Sequence, residues 1–191
     1  MENKNRFYAK KIMQLCLSAA LGLSALSLQA AEKPMQTVPK LQLDRYLGVW
    51  YEIARKPMYF ENKCKQNIRA TYGLNEKGNV TVENRCEGEN NQIHRAVGEA
   101  FVVNPPENTK LKVSFLPKAI RWIPIARGNY WVLKLDDQYQ TVLIGEPSRK
   151  YLWLLSRQPT ISEATFNDYM NTAQNLGYSI QDLIITKQIQ K

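Results

Sequence analysis

From Gly48 to Arg157 the chain is a succession of short runs in which apolar and polar residues alternate, separated by turn-forming residues and with no helical periodicity between them. Strands joined so closely pair antiparallel with their neighbours, because a parallel crossover needs a longer, usually helical, connection. The first run leaves Gly48 and Trp50; the others cover about residues 67–74, 79–86, 93–103, 110–116, 129–135, 139–146 and 151–157. Asn75-Glu76-Lys77-Gly78 and Asp136-Asp137 read as turns, and Pro105-Pro106 breaks the ladder because proline has no N–H to donate. The pattern predicts an all-β fold, an eight-stranded up-and-down antiparallel β-barrel in one domain.

Alternation also assigns faces. The inward set is Ile68, Ala70 and Tyr72, then Val80 and Val82, Ala96, Gly98 and Ala100, Leu111, Val113 and Phe115, Tyr130 and Val132, and finally Tyr151 and Trp153. Arg157 falls on that apolar face, where an unpaired charge is costly. Stacking its guanidinium over an indole, with the remaining donors on backbone carbonyls, would satisfy it. Behind it, Thr160 and Glu163 are spaced as a capping box, and Phe166, Tyr169, Met170, Ala173 and Leu176 form one apolar stripe ending at Gly177. One C-terminal helix is predicted there, with a short ninth strand at residues 183–186.

Gly48-Val49-Trp50-Tyr51-Glu52-Ile53-Ala54-Arg55, Ala70-Thr71-Tyr72 and Tyr151-Leu152-Trp153-Leu154-Leu155-Ser156-Arg157 occur in the order seen in the lipocalin family. The chain resembles in particular the bacterial outer-membrane type. The resemblance runs from about residue 43 to residue 187. It implies that Gly48, Trp50 and Arg157 close the bottom of the barrel, that the helix packs outside it, and that the other end opens onto a cavity. Three small residues in the fourth strand, Ala96, Gly98 and Ala100, leave volume inside. Tyr72, Ala100, Val113, Phe115, Tyr130, Val132, Tyr151 and Trp153 are therefore the candidate ligand-binding residues. An apolar lining with a few tyrosine hydroxyls suits an acyl chain such as a fatty acid or lysophospholipid, for lipid transport, storage or envelope maintenance. The alternatives are an enzyme acting on a lipophilic substrate and an envelope interaction module whose barrel is filled.

The first thirty residues carry Lys4, Arg6, Lys10 and Lys11, an apolar run from residue 12 to 28, and small residues at Ala30 and Ala31. They read as a cleaved secretory signal, followed by an N-terminal extension at 31–42 and the lipocalin-like domain at 43–191. Relatives of the outer-membrane type are often lipidated on a cysteine at the cleavage site. Cys16 lies inside the apolar run behind bulky Leu15, so an N-terminal lipid anchor is not expected. The expected location is the periplasm or the medium, with possible association with the outer membrane.

Removing residues 1–30 lowers the net charge from +9 to +6. The domain stays basic, which favours anionic surfaces. Lys118, Arg121, Arg127, Arg149 and Lys150 fall on loops of the predicted open rim and could meet an anionic headgroup or membrane. Nucleic acid would be in the wrong compartment. Cys64 and Cys86 remain for an oxidising compartment, and the turn at 75–78 places Cys86 opposite residue 67, close enough to Cys64 for a disulfide.

His94 is the sole histidine, so neither a zinc site nor a Ser-His or Cys-His nucleophile is readily assembled. Glu52 and Glu146 are lone carboxylates, expected to satisfy backbone or arginine donors. The reading is a non-enzymatic binding protein without metal or cofactor, whose partner is a small lipophilic molecule. It is expected to be a monomer or weak dimer.

Overall fold

The computed structural model describes residues 34–121 and 123–189; the segment read as a signal peptide, Cys16 and the expected cleavage site lie outside the described residues. Eight strands run β1 (Gly48–Arg55), β2 (Gln66–Leu74), β3 (Val80–Glu87), β4 (Ile93–Val102), β5 (Lys110–Ser114), β6 (Gly128–Leu135), β7 (Thr141–Gly145) and β8 (Leu152–Ser156). Each pairs antiparallel with the next, and β1 pairs with both β8 and β2, so the sheet closes on itself. Closure removes the free edges that an open sheet would present.

A short helix, α1 (Leu43–Tyr46), precedes β1, and Gly48 joins the two at φ +94, a conformation that side chains with a Cβ rarely adopt. The long helix α2 (Glu163–Asn175) follows β8, and β9 (Ile184–Ile185) pairs antiparallel with β1 at Ala54 and Arg55.

Alternation divides the apolar residues into two cores. Trp50, Ala70, Tyr72, Val80, Val82, Ala100, Leu111, Val132, Val142, Ile144 and Leu155 pack inside the barrel with Leu41, Tyr46 and Tyr139. Leu133, Leu143, Leu152 and Leu154 point outward and pack under Tyr169, Met170 and Ala173 of α2. The stripe on α2 is thus barrel-facing core, as its period requires.

Strand ends and caps depart from the sequence reading in three places. Ser162, not Thr160, caps α2: its Oγ accepts from Thr165 N at 3.1 Å. Ile161 and Phe166, which flank that cap, both pack on the outer core, a hydrophobic staple that fixes the helix start two residues beyond the expected one. The seventh strand starts at Thr141 and not at Tyr139, because the Asp136 carboxylate accepts from the N–H groups of Gln138, Gln140 and Thr141 and winds the turn around itself. Tyr139 takes φ 58 within that turn and sends its ring into the barrel floor, under the Arg45 guanidinium at 4.0 Å. The eighth strand begins at Leu152, leaving Tyr151 on the rim.

The seam between β1 and β2 is not uniform. The two strands pair only from Gly48↔Tyr72 to Tyr51↔Arg69 and then diverge. The chain around β9 fills the gap. Gln188 Nε2 donates to Glu52 O and to Ile68 O, both at 2.8 Å, and Asn67 N donates to Lys187 O at 2.9 Å. A bulge at Ile53 accompanies the divergence: Glu52 opposes Leu155 and Ala54 opposes Leu154, so Ile53 and Ala54 both join the outer core. Arg55 is thereby returned to the face of Trp153, inside the barrel.

Candidate functional site

The floor of the barrel is closed by Trp50, which is fully buried and donates Nε1–H to Tyr46 O at 2.8 Å. The Arg157 guanidinium lies 3.9 Å from the Trp50 ring centroid and donates to the carbonyls of Val49, Arg45, Tyr46 and Leu47. The charge on the apolar face is therefore satisfied in the way its position demands, and Gly48, Trp50 and Arg157 come together.

Three tyrosines lie above the plug. The hydroxyl of Tyr130 is 2.6 Å from that of Tyr46 and 2.9 Å from that of Tyr72. Burial pushes the Tyr72 phenol up to about 12 and raises Tyr46 and Tyr130 well above the ordinary range, so all three hold their protons. Three hydroxyls share two hydrogen bonds, which leaves one proton to donate to a polar group above them.

Higher in the barrel the walls remain apolar but burial falls away. Ala100 and Val132 are fully buried, whereas Val113, Tyr151 and Trp153 are half-buried. Ala96, opposite Asn84 on the inner face, is exposed, and Phe115 is 46% exposed while its ring lies against Gly98. The rings of Phe60, Tyr151 and Trp153 form a chain at the mouth, with centroids 5.4 and 6.2 Å apart.

An ion cluster that the sequence did not reveal sits beneath those rings. Arg55 Nη1 donates to Glu52 Oε1 at 3.1 Å, and Arg55 Nε lies 3.0 Å from Glu61 Oε2. The second oxygen of Glu61 accepts from Trp153 Nε1 at 3.3 Å, and the Thr186 hydroxyl donates to Glu52 Oε1. Burial and the neighbouring Glu61 charge raise Glu52 to about 8, against the pull of Arg55. Burial also raises Glu61. The bulge at Ile53 hid Arg55 from parity, and Glu61 comes from the β1–β2 loop, where no period applies.

Glu146 is structural. Burial disfavours its charge, yet bonds from the Ser148 hydroxyl and from the N–H groups of Ser148, Lys150 and Tyr151 hold its carboxyl below its ordinary value.

Of the rim cations, Arg121 donates to Val97 O and Leu116 O, each at 2.6 Å, and Arg127 bonds Arg121 O while lying over the Phe101 ring. Arg149 donates to Leu176 O at the C-terminus of α2, favourable for a cation at that pole. Lys118 and Lys150 are exposed. Cys64 and Cys86 form a disulfide with Cα atoms 5.5 Å apart, tying the β1–β2 loop to the end of β3. Among the described residues no group of three or more His, Cys, Asp or Glu side chains could hold a metal ion, and no helix is long and apolar enough to cross a membrane.

A closed antiparallel barrel with one plugged end, an interior that is apolar apart from one ion cluster, and a partly exposed mouth defines a calyx, the class of fold that encloses a small hydrophobic molecule. Residues 41–188 match the family described as a lipocalin-like domain, and the chain belongs to the lipocalin family, whose members bind small hydrophobic ligands. It is 41% identical over 159 residues to temperature-induced lipocalin-1 of Arabidopsis thaliana, covering 82% of this chain and 84% of that one. It is 32% identical over 172 residues to the outer membrane lipoprotein Blc of Escherichia coli K12, covering 90% and 93%. Among solved structures, insecticyanin from Manduca sexta superposes with a TM-score of 0.62 at 20% identity, over 81% of this chain and 85% of that one, which shows the fold alone.

Proposed function

We propose that this lipocalin carries a fatty acid or lysophospholipid in its barrel, for lipid transport, storage or envelope maintenance. The observation that carries the reading is the gradient of exposure along one continuous apolar face, from fully buried Val132 through half-buried Val113 and Trp153 to exposed Ala96 and Phe115. Tyr72, Ala100, Val113, Phe115, Tyr130, Val132, Tyr151 and Trp153 line the path.

The relatives named outer membrane lipoprotein favour an envelope location, and the Cys64–Cys86 bridge favours an oxidising compartment. We place the protein in the periplasm or medium; the mass of the purified mature chain tests export and shows whether a lipid is attached. The test of carriage is organic extraction of purified protein followed by lipid mass spectrometry. Recovery of a stoichiometric lipid, displaceable by a fluorescent fatty acid, is the expected result. An empty extract without displacement would remove the reading.

The rim supports a second role. Tyr59, Phe60 and Ile125 are exposed there, Ile125 at 95%, on loops at the same end of the barrel as exposed Lys118 and Lys150. Apolar tips flanked by cations suit docking on an anionic bilayer, where ligand would be exchanged. Co-sedimentation with phosphatidylglycerol vesicles, lost in Ile125→Ser, tests it.

A further inference from the structure

Glu61 stands in a site built for a carboxylate. Its two oxygens are each held by a donor from the barrel wall: Oε2 lies 3.0 Å from Arg55 Nε, and Oε1 accepts from Trp153 Nε1 at 3.3 Å. Arg55 and Trp153 are opposite one another on β1 and β8, so the two donors belong to the rigid ladder. Glu61 does not. It sits on the single turn of 3-10 helix Tyr59–Glu61, in the loop between buried Met58 and bridged Cys64, followed by exposed Asn62 and Lys63.

The ion contact of Glu61 is also poorly made. Arg55 Nε and Glu61 Oε2 are buried and close, yet neither has a hydrogen-bond partner of acceptable alignment. A guanidinium is best satisfied by paired, in-plane oxygens, and a buried donor left without an aligned acceptor is costly. Glu52 is held differently. It is aligned with Arg55 Nη1 and fixed by the Thr186 hydroxyl, two contacts that hold it beside Arg55 without Glu61, although it also faces Glu61.

We infer that Glu61 is a tethered stand-in for the ligand's head, and that the carboxylate of a long-chain acid displaces it to take Arg55 Nε and Trp153 Nε1 while the β1–β2 loop swings outward. The inference rests on the carrier reading and names the head group of that ligand. A free carboxylate, unlike Glu61, has no backbone to hold it off the guanidinium plane. The acyl chain then lies along Trp153, Val113 and Phe115, and the departing Glu61 reaches water at the rim. Phe60 leaves Tyr151 with it, which opens the mouth as the head goes in. Arg55 and Trp153 thus select for an acid over the corresponding alcohol, and Glu61 sets the threshold for entry.

The test uses hexadecanoic acid and hexadecanol, which share a chain and differ in the head, and reads the ratio of their affinities. Glu61→Gln removes the competing charge and should raise the preference for the acid about tenfold, the scale of one charge-assisted hydrogen bond. Arg55→Gln alone would strand Glu52, so the pair Arg55→Gln with Glu52→Gln is used; it should erase the preference. If both probes bind but the ratio is unchanged or lowered in Glu61→Gln, Glu61 is a structural ion partner and the inference fails while the carrier reading stands. If neither probe binds saturably to any of the proteins, the carrier reading fails and the inference with it.

Discussion

A Cβ built on Gly48 would stand 3.3 Å from Arg157 Nη1, the atom that donates to Val49 O. The glycine that lets the chain turn into β1 is also the gap that admits the guanidinium over Trp50. Gly48→Ala should therefore weaken the plug twice, through strain at φ +94 and by pushing Arg157 off its carbonyls. Its melting temperature should fall below that of a surface Gly78→Ala control, where φ is also positive but nothing lies within reach of the added methyl.

Trp50→Ala removes a fully buried side chain from a site with no access to ligand and should cost about 3–5 kcal/mol in chemical denaturation. Ligand affinity per folded molecule should change much less than stability. The opposite pattern would move Trp50 from the plug to the binding site.

Trp153→Ala separates a carrier from a filled barrel. Trp153 is half-buried, and its loss should enlarge an existing space, leave the protein folded, and shift affinity across a series of fatty acids of increasing chain length. In a filled barrel the same change would cost about 3–5 kcal/mol, with no saturable binding before or after.

The barrel's period-two alternation is local information, which is why the strands and the two faces are legible in the sequence. So is the partner of Arg157, because a lone cation on an apolar face has few solutions. What escapes is whatever depends on a break in the period or on a distant segment. Arg55 follows Ala54 on what reads as the wrong parity until the Ile53 bulge restores it, and Glu61 meets Arg55 from a loop whose path the chain code does not set. Ser162 and Thr160 are equally good caps in isolation; the choice falls to Ile161 and Phe166 packing on a barrel that has to form first.

Folding takes up a proton at Glu52. Its carboxyl is raised by burial from about 4.5 to about 8, so between those values the unfolded chain is ionised where the native one is not. The native advantage is complete at the acid end of that window and is lost as pH rises through about 8. The groups that face it are Arg55, Glu61 and the Thr186 hydroxyl. Urea denaturation at pH 5, 6.5 and 8 should show stability falling with pH, and Glu52→Gln should flatten the trend. An unchanged slope in Glu52→Gln would place the titrating group elsewhere.

The Cys64–Cys86 bridge closes a loop of sequence separation 22 and anchors the base of the segment that carries Glu61. Replacing both cysteines by alanine should cost about 3 kcal/mol by loop entropy. Non-reducing peptide mapping of the native protein should recover the two residues as one linked pair.

The β1–β2 seam depends on a stitch. Gln188 joins the backbones of Glu52 and Ile68 across sequence separations of 136 and 120, at the place where those strands no longer hold each other. Until residues 184–188 have docked, the upper part of the wall is an unzipped edge beside the ion cluster. The eight strands alone can pair but cannot seal the barrel. The wall is therefore completed by a segment that lies outside the eight-stranded repeat.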